Sequence, residues 1–311
     1  MAGTARRMRM RPFLGMCLGL LLALAGCRSS DTQTGGAGTE GSREFRPFVF
    51  IHAGDPQIGS WGTIEEGKQR FIRLARLANE LKPEFVMVVG DLVNDGDSAE
   101  QIQAFDEALA EFQVPVRLLP GNHDDLATYR RKHGKPYYAF AHNNCQFVCL
   151  DSTRLGAGGS EGQWRWLEAA LQAARDAGRT HIILAMHHPP GTMMTVRSRL
   201  ENLISGHGIR FVLAGHTHGT EEFHRADYTT YTVGGTGWVK DRHGFGYRVF
   251  RVARETIEQH YFDLDTPVDA VREAISPATQ PAETKGAEEP RLIGSTARVP
   301  VRSVCWCASV S

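Results

Sequence analysis

The decisive stretch of this chain is FVFIHAGDPQ at residues 48–57, where a short apolar run ends in a polar cluster. A run of this length followed by turn-forming residues is typical of a buried β-strand. The same arrangement recurs at four later points, with the polar clusters Gly90-Asp91, Gly121-Asn122-His123-Asp124, His187-His188 and Gly215-His216-Thr217-His218. Ligands bind at the C-terminal ends of the strands in an open α/β sheet, so we expect these clusters to meet in one site.

Helical periodicity separates the predicted strands. Apolar residues recur at helical spacing from Ile64 to Leu81, and the pattern stops before Pro83. A strand over 85–89, a helix from Ile102 to Phe112 and a strand over 116–119 repeat the alternation, which predicts an α/β fold. The later pattern predicts a hairpin over 137–151, a helix over 163–177 with Trp166 on its inner face, strands over 181–186 and 211–214 joined through a helix at 200–204, and closing strands over 229–233, 247–252 and 257–262.

The residue types in the clusters are those that bind divalent metals. Carboxylate and amide oxygens and imidazole nitrogens hold Mn, Fe or Zn, and a carboxylate such as Asp91 can bridge two ions. Each cluster alone has a plainer interpretation, since an aspartate after a strand often caps a turn, and the pair His216 and His218 could lie on the surface. His188, before Pro189, could be a structural residue. Five clusters in this order favour a two-metal site that acts on phosphate esters.

This set of motifs resembles the calcineurin-like metallophosphoesterase family, and the resemblance covers approximately Phe48 to Phe262. It implies a four-layer αββα sandwich with a dinuclear site at the C-terminal ends of the strands. Carried across position by position, it implies that one metal is held by Asp55, Gln57, Asp91 and His218, and the other by Asp91, Asn122, His187 and His216. His123 would be the catalytic histidine.

One position departs from the usual pattern of the family. The first motif commonly reads Asp-x-His, whereas this chain has Gln57, whose amide oxygen is a weaker and harder donor than imidazole. The two divalent metals are therefore expected to be Mn or Fe, with Zn as an alternative. Asn94 stands where purple acid phosphatases have a metal-bound tyrosine, so no coloured ferric phenolate is expected. Asn94, Asp95 and Asp124 are the candidates for orienting His123, and the sequence does not choose among them.

The ligand set predicts metal-dependent hydrolysis of small phosphate esters. A hydroxide between the metals would attack phosphorus in line while His123 protonates the leaving oxygen. Two alternatives stay open. One is a cyclic-nucleotide or other phosphodiesterase, and the other is a lipid-tethered, non-catalytic phosphate-binding protein whose first metal site is weakened by Gln57. Specificity is expected from loops after the strands, and the candidate segments are 58–66, 125–140, 152–162, 189–199 and 219–246.

Residues 1–27 have the pattern of a bacterial lipoprotein signal. Four arginines between Arg6 and Arg11 precede an apolar stretch from Phe13 to Leu24 that is too short to span a bilayer, and small residues lead into Cys27. Cys27 is the predicted lipidation site, which would anchor the exported protein to a membrane of the bacterial cell envelope. An ordinary secretory signal and a buried cysteine are the alternatives. Residues 28–44, rich in Ser, Thr and Gly, are predicted to be a flexible tether.

The net charge of the chain limits which partners are expected. The 35 basic and 35 acidic residues cancel, but residues 1–26 hold four arginines and no acid, which leaves 31 against 35 and a net charge of −4. A nucleic-acid polymer is therefore not an expected partner, and the oligomeric state is not predicted.

The metallophosphoesterase domain is predicted over 45–267, followed by a low-complexity, disordered tail over 268–311. Cys145 and Cys149 lie on one face of a predicted strand, too far apart for a disulfide, and are expected in the core.

Overall fold

The structure, a computed structural model, describes residues 45–60, 62–156, 160–237 and 244–276. Within these residues one sheet has five strands: β1 (Phe48–Ala53), β2 (Phe85–Val89), β3 (Val116–Leu119), β10 (Gly246–Val252) and β11 (Ile257–Asp263). Their order is β11-β10-β1-β2-β3, and β1, β2 and β3 are parallel. Three successive parallel strands therefore end at the same edge of this sheet, as the sequence predicted.

The second sheet has six strands within the described residues: β4 (Tyr138–His142), β5 (Cys145–Leu150), β6 (His181–Met186), β7 (Phe211–Ala214), β8 (Glu222–His224) and β9 (Thr229–Thr232). Their order is β4-β5-β6-β7-β9-β8, with β5, β6, β7 and β9 parallel. The strands β6 and β7 lie side by side at the centre of this sheet. The two histidine clusters that follow them are therefore neighbours in space.

Helices cover the outer face of each sheet. The helices are α1 (Ile64–Leu81), α2 (Ala99–Leu109), α3 (Leu126–His133), α4 (Glu161–Asp176), α5 (Arg197–Gly206) and α6 (Val268–Ile275), with a short 3-10 helix at Pro190–Thr192. Buried side chains of α1, α2 and α6 share one hydrophobic core with the first sheet, and those of α4 and α5 share another with the second sheet. The arrangement is a four-layer αββα sandwich, which confirms the predicted fold class.

Specific residues explain where α1 begins and where it ends. The hydroxyl of Thr63 accepts a hydrogen bond from the Glu66 N–H at 3.2 Å, and the Glu66 carboxylate accepts one from the Thr63 N–H at 2.6 Å. This capping box satisfies backbone donors that the first turn leaves without partners. At the other end Lys82 adopts φ 58°, a left-handed conformation that ends the helix before Pro83.

A layer of aromatic rings joins the two sheets. The Phe50 ring stacks on Phe85 at 5.2 Å and on Phe250 at 4.9 Å within its own sheet, and it meets Phe147 of the second sheet edge-on at 5.3 Å. All four residues are buried. Stacked and edge-to-face rings favour defined relative positions, so this layer fixes how the two sheets face each other. The C-terminal strand ends of both sheets are thereby held at one side of the sandwich.

The structure corrects several sequence-based expectations. Neither α3 nor β8 was predicted, because α3 carries only one buried residue, Tyr129, and β8 is a three-residue edge strand. On α4 the sequence analysis overlooked Trp164, which is only 1% exposed, whereas the predicted inner-face residue Trp166 is partly buried and packs against the same core. The predicted domain boundary at residue 267 is too early, because α6 buries Val271 and Ile275 in the core shared with α1.

Several predictions concern residues outside the described part of the chain. These are the signal over residues 1–27 with Cys27, the tether over 28–44, and the tail from residue 277 onward. Cys145 and Cys149 are both free and buried, as predicted. Among the described helices, none combines the length and the apolar character that crossing a membrane requires.

Candidate metal centre

The predicted ligands lie just after strand ends, in backbone conformations that L-residues rarely adopt. Asp55 has φ 48°, Gln57 35°, Asp91 49°, His216 65° and His218 54°. A non-glycine residue with positive φ is uncommon, and each such conformation costs free energy that the surrounding structure must offset. Such residues cluster at functional sites. Five predicted ligands with this property, drawn from both sheets, indicate that the backbone is shaped to aim their side chains at a common point.

The Asp55 carboxylate connects the two sheets. It is fully buried, and its two oxygens accept hydrogen bonds from the backbone N–H of His216 at 3.0 and 3.1 Å. Its Oδ1 lies 3.9 Å from Nδ1 of His187 and 3.9 Å from Nε2 of His218. Burial raises the pKa of Asp55 to about 7, with the charge of His187 lowering it and that of Asp91 raising it. A bound cation would offset this cost by stabilising the carboxylate.

His187 is held in an orientation suited to metal binding. Its Nδ1 lies 2.9 Å from the carbonyl oxygen of Val89, which can only accept, so Nδ1 carries the proton and Nε2 is the ligating nitrogen. That Nε2 lies 3.0 Å from Oδ1 of Asn122 and 3.3 Å from Oδ2 of Asp91. In the metal-free protein burial lowers the pKa of His187, but the Asp91 hydrogen bond and the charges of Asp55 and Asp91 raise it to about 9.

The ligand atoms form two adjacent groups. Asp55, Asp91 and His218 form one group and His187, His188 and His216 the other, and the ligand atoms of each group lie within 4.8 Å of one another. These groups contain three of the four predicted ligands of the first metal and both predicted imidazoles of the second.

Gln57 fits the predicted role of an oxygen donor. Its Nε2 donates a weak hydrogen bond to Oδ1 of Asn94 at 3.3 Å, while its buried Oε1 has no hydrogen-bond partner within the described residues. A buried amide oxygen without a partner is costly unless a donor or a cation satisfies it. The mixed set of carboxylate, amide and imidazole donors is one that Mn, Fe and Zn accept. The residues therefore fit a pair of divalent ions.

His188 is the residue of the centre that sequence reasoning left aside. The centroid of its ring lies 4.3 Å from the ring centroid of His216. The Nδ1 of His188 lies 3.0 Å from the hydroxyl oxygen of the buried Ser152. The Ser152 oxygen also accepts the His188 N–H at 2.9 Å. Burial, followed by the charge of His187, lowers the pKa of His188 to about 3, so the ring is neutral at physiological pH. Only its position just after the buried strand β5 could have indicated from the sequence that Ser152 lies near the site.

His123 is oriented by Asn94 through the backbone. The Nδ1 of the exposed His123 ring lies 2.7 Å from the Asn94 carbonyl oxygen, and the His123 N–H donates to Oδ1 of Asp91 at 2.9 Å. Of the three candidates for orienting this ring, Asp95 instead accepts the N–H of Asp97 at 3.1 Å. Asp124 faces a different set of groups.

Asp124 shapes the loop that presents Asp91. Its carboxylate accepts hydrogen bonds from the N–H groups of Leu92 at 2.9 Å, Val93 at 3.3 Å and Gly121 at 2.8 Å. Burial raises the pKa of Asp124 to about 7, against the lowering effect of the Gly121 hydrogen bond. It therefore acts as a structural cap for two strand ends.

Sequence comparison identifies the family. Residues 48–220 match the family description "calcineurin-like phosphoesterase", which covers more than half of the chain. The chain belongs to this calcineurin-like phosphoesterase family. The family uses a dinuclear metal centre, and the phosphoesterase described here has candidate ligands for one. Membership also supports the predicted hydrolase activity.

Curated relatives of the phosphoesterase include both phosphatases and phosphodiesterases. The serine/threonine-protein phosphatase CPPED1 of Rattus norvegicus is 28% identical over 277 residues, which covers 73% of this chain and 88% of that protein. A probable glycerophosphodiester phosphodiesterase GpdQ of Arcobacter nitrofigilis is 29% identical over 178 residues, an alignment that covers 51% of this chain and 63% of that protein.

Solved structures show the same fold. A dimetal phosphatase from Danio rerio aligns with a TM-score of 0.60 at 14% identity, over 70% of this chain and 96% of that one. A purple acid phosphatase from yellow lupin seeds aligns with a TM-score of 0.56 at 13% identity, over 71% of this chain and 52% of that one. At these identities the likeness concerns the fold alone.

Proposed function

We propose that the protein hydrolyses small phosphate esters with two divalent metals bound among the strand ends. The observation that carries this proposal is the convergence of Asp55, Asp91, His187, His216 and His218, from both sheets, into two adjacent groups of ligand atoms. Such convergence of buried carboxylates and imidazoles in strained backbone is expensive to maintain without a cation to bind. The family relationship supports the same chemistry.

The ligand assignment we propose is the one given by the family motifs. One ion is bound by Asp55, Gln57, Asp91 and His218, and the other by Asp91, Asn122, His187 and His216. Two observations support it: Oε1 of Gln57 has no hydrogen-bond partner among the described residues, and Asn122 Oδ1 lies only 3.0 Å from His187 Nε2. Because Gln57 supplies oxygen in place of nitrogen, we infer that the native ions are Mn or Fe rather than Zn.

The protein's own residues position the substrate and move a proton. When bound, the ions supply positive charge to the phosphoryl oxygens and make a water molecule more acidic. In its imidazolium form His123 donates Nδ1–H to the Asn94 carbonyl, which leaves Nε2–H as the proton that can pass to the leaving oxygen. The hydrogen bond from the His123 N–H to Asp91 ties this ring to the metal ligands.

Metal analysis combined with kinetics tests the proposal. The purified protein should contain two metal ions per chain and hydrolyse p-nitrophenyl phosphate or bis(p-nitrophenyl) phosphate, and a chelator should abolish turnover that added Mn restores. The ratio of the two activities separates a monoesterase from a phosphodiesterase. Tight binding of inorganic phosphate by a metal-loaded protein without turnover of any ester would instead identify a non-catalytic binding protein.

We also propose, from residues 1–44 of the sequence, that the protein is exported and anchored by lipid on Cys27. Expression in a bacterial host with labelled palmitate should place the label and the protein in the membrane fraction. Cys27→Ser should lose both. A protein that is unlabelled and released in soluble form would contradict the anchor and leave the enzymatic proposal untouched.

A further inference from the structure

A cavity of about 270 Å³ adjoins the candidate metal centre on the side of the second sheet. Pro189 and Thr217 line it. Pro189 directly follows His188, and Thr217 stands between His216 and His218. The cavity and the candidate metal centre therefore share a wall formed by the segments that carry three of the histidines.

The charged residues that line this cavity are both arginines. Arg197 begins α5, and Arg225 directly follows β8 at the turn that leads into β9. Nε of Arg197 donates to Oε1 of Glu201 at 3.0 Å, an oxygen that also accepts the Tyr228 hydroxyl at 3.2 Å, so Arg197 is held in place and partly neutralised. The positive end of the α5 dipole adds to its charge.

Arg225 is not neutralised in this way. Its backbone N–H donates to the Tyr228 carbonyl at 2.8 Å, which fixes the turn, but its guanidinium makes neither a hydrogen bond nor an ion pair with any described residue. No carboxylate belongs to the described lining of the cavity, although the chain as a whole is close to electrically neutral. The cavity is therefore a local concentration of positive charge beside a site proposed to bind phosphate.

Two further lining groups indicate that a ligand would find partners there. The hydroxyl oxygen of Thr217 is buried and has no hydrogen-bond partner among the described residues. The ring of Phe223, on edge strand β8, is 37% exposed, and it is one of two large hydrophobic side chains in the described part of the chain that are this exposed. An arginine pair, a hydroxyl donor and an aromatic ring are the groups that bind an anion carried on a short organic chain.

We propose that this cavity is a substrate subsite that binds a second anionic group, a carboxylate or a phosphate, carried on the part of the ester remote from the scissile phosphate. The proposal rests on the proposed function and names its substrate class: phosphate esters of acidic alcohols, including bisphosphates. Arg225 is the specificity-determining residue, because the charge of Arg197 is already offset by Glu201. Neither residue belongs to the proposed metal centre.

Kinetics with matched substrates tests the subsite. Metal-loaded full-length protein is assayed for phosphate release from alkyl phosphates of two to six carbons whose far end is a hydroxyl, an ammonium, a carboxylate or a phosphate. The acidic ends should raise kcat/KM about tenfold over the hydroxyl at the best chain length, as expected for one charge-assisted contact, and the ammonium should lower it. Comparison of the carboxylate and phosphate series identifies which anion the cavity prefers. Added salt should reduce the advantage.

Two variants test whether Arg225 causes the preference for acidic ends. Arg225→Gln should remove the preference for acidic ends and leave kcat/KM for the hydroxyl-ended ester unchanged. Arg76→Gln, which alters an exposed arginine on α1, should change neither value. Equal kcat/KM for all four ends in the wild-type protein, or an unchanged preference in Arg225→Gln, would overturn the proposal.

A binding measurement keeps the subsite separate from the enzymatic proposal. Titration calorimetry compares alkyl phosphonates with ω-carboxyalkyl phosphonates, which the protein cannot hydrolyse. The carboxylated compound should bind about tenfold more tightly to the wild-type protein and equally to Arg225→Gln. A protein without turnover that shows this difference loses the proposed function but retains the subsite, whereas equal affinities refute the subsite even if hydrolysis is observed.

Discussion

The carboxylate of Asp55 accepts the backbone N–H of His216 at 3.0 and 3.1 Å, across 161 positions of sequence. Asp55 follows β1 of the first sheet and His216 follows β7 of the second, so this contact joins the two sheets at the metal centre. Gly215 permits the approach, because a Cβ at that position would overlap the Asp55 carboxylate. The relative position of the sheets and the geometry of the centre are therefore coupled at this point.

Gly215→Ala should both destabilise the protein and weaken metal binding. The added methyl group must displace a fully buried carboxylate, which should cost about 1–3 kcal/mol of unfolding free energy. Thermal unfolding and metal content report the two effects. Gly162→Ala is the matched control, because it adds the same methyl group within α4 with open space around it and should stabilise by about 0.5–1 kcal/mol. Unaltered metal content in Gly215→Ala would show that the centre does not depend on the Asp55 contact.

Gln57→Leu should reduce the metal content from two ions toward one. Leucine fills a similar volume but removes Oε1, the buried oxygen that has no other described partner. Turnover at limiting Mn should fall at least about tenfold, which is the range found when a group that supports a metal is removed. Elemental analysis and Mn titration measure both values, and Gln57→Glu should retain two ions because it keeps the oxygen. Full occupancy in Gln57→Leu would remove Gln57 from the ligand set.

His123→Asn should lower kcat about 10²- to 10⁴-fold and leave two metal ions in place. The ring is exposed and contacts the Asn94 carbonyl, so its replacement should not disturb the core. The loss should be larger for alkyl phosphates than for p-nitrophenyl phosphate, because nitrophenolate departs without a proton and an alkoxide does not. An equal loss for both leaving groups, or loss of metal, would assign His123 a different role.

The metal-free protein should lose stability as the pH rises from 7 to 9. Although burial lowers the pKa of His187, the Asp91 hydrogen bond and the charges of Asp55 and Asp91 raise it from 6.5 to about 9 in the folded state. The folded chain therefore binds more protons than the unfolded chain between these values, and the unfolding free energy falls by up to about 3 kcal/mol across the window.

Chemical unfolding at a series of pH values measures this loss. His187→Asn removes this imidazole, so the loss of metal-free stability from pH 7 to 9 should be smaller, and what is left should come from Asp55 and Asp124, whose pKa values burial raises to about 7. The metal-loaded wild-type protein should behave in the same way, because a ligating imidazole is already neutral. A flat profile for the metal-free wild-type protein would show that His187 is not held in its charged form.

The polar clusters after the strands were predictable because each strand is visible in its local sequence pattern. The apolar runs before Asp55, Asp91 and His187 match β1, β2 and β6, and a buried strand between turn residues is visible in the sequence alone. The helix α6 was missed because its flanking segment is rich in Pro, Ala and Glu, and only contact with α1 gives Val271 and Ile275 a place in the core. The edge strand β8 was missed because three residues are too few to show a period of two.

The role of Asn94 could not be predicted because it depends on the backbone. Sequence reasoning weighed its side chain against Asp95 and Asp124, whereas the carbonyl oxygen of Asn94 is the group that meets His123. The same holds for Ser152, which reaches His188 only because β5 and β6 are adjacent strands.

The sequence by itself determined the fold class, the order of the strands that carry metal-binding side chains, and the chemical identity of those side chains, because periodicity and residue type are local properties. The tertiary structure alone decided which side chains meet. It brought the Asp55 carboxylate to the backbone N–H of His216, gave the Gln57 oxygen no partner among the described residues, and placed Arg197 and Arg225 around one cavity beside the centre. These contacts depend on how two sheets pack across a shared aromatic layer, and no local pattern encodes the distance between residues that only this packing brings together.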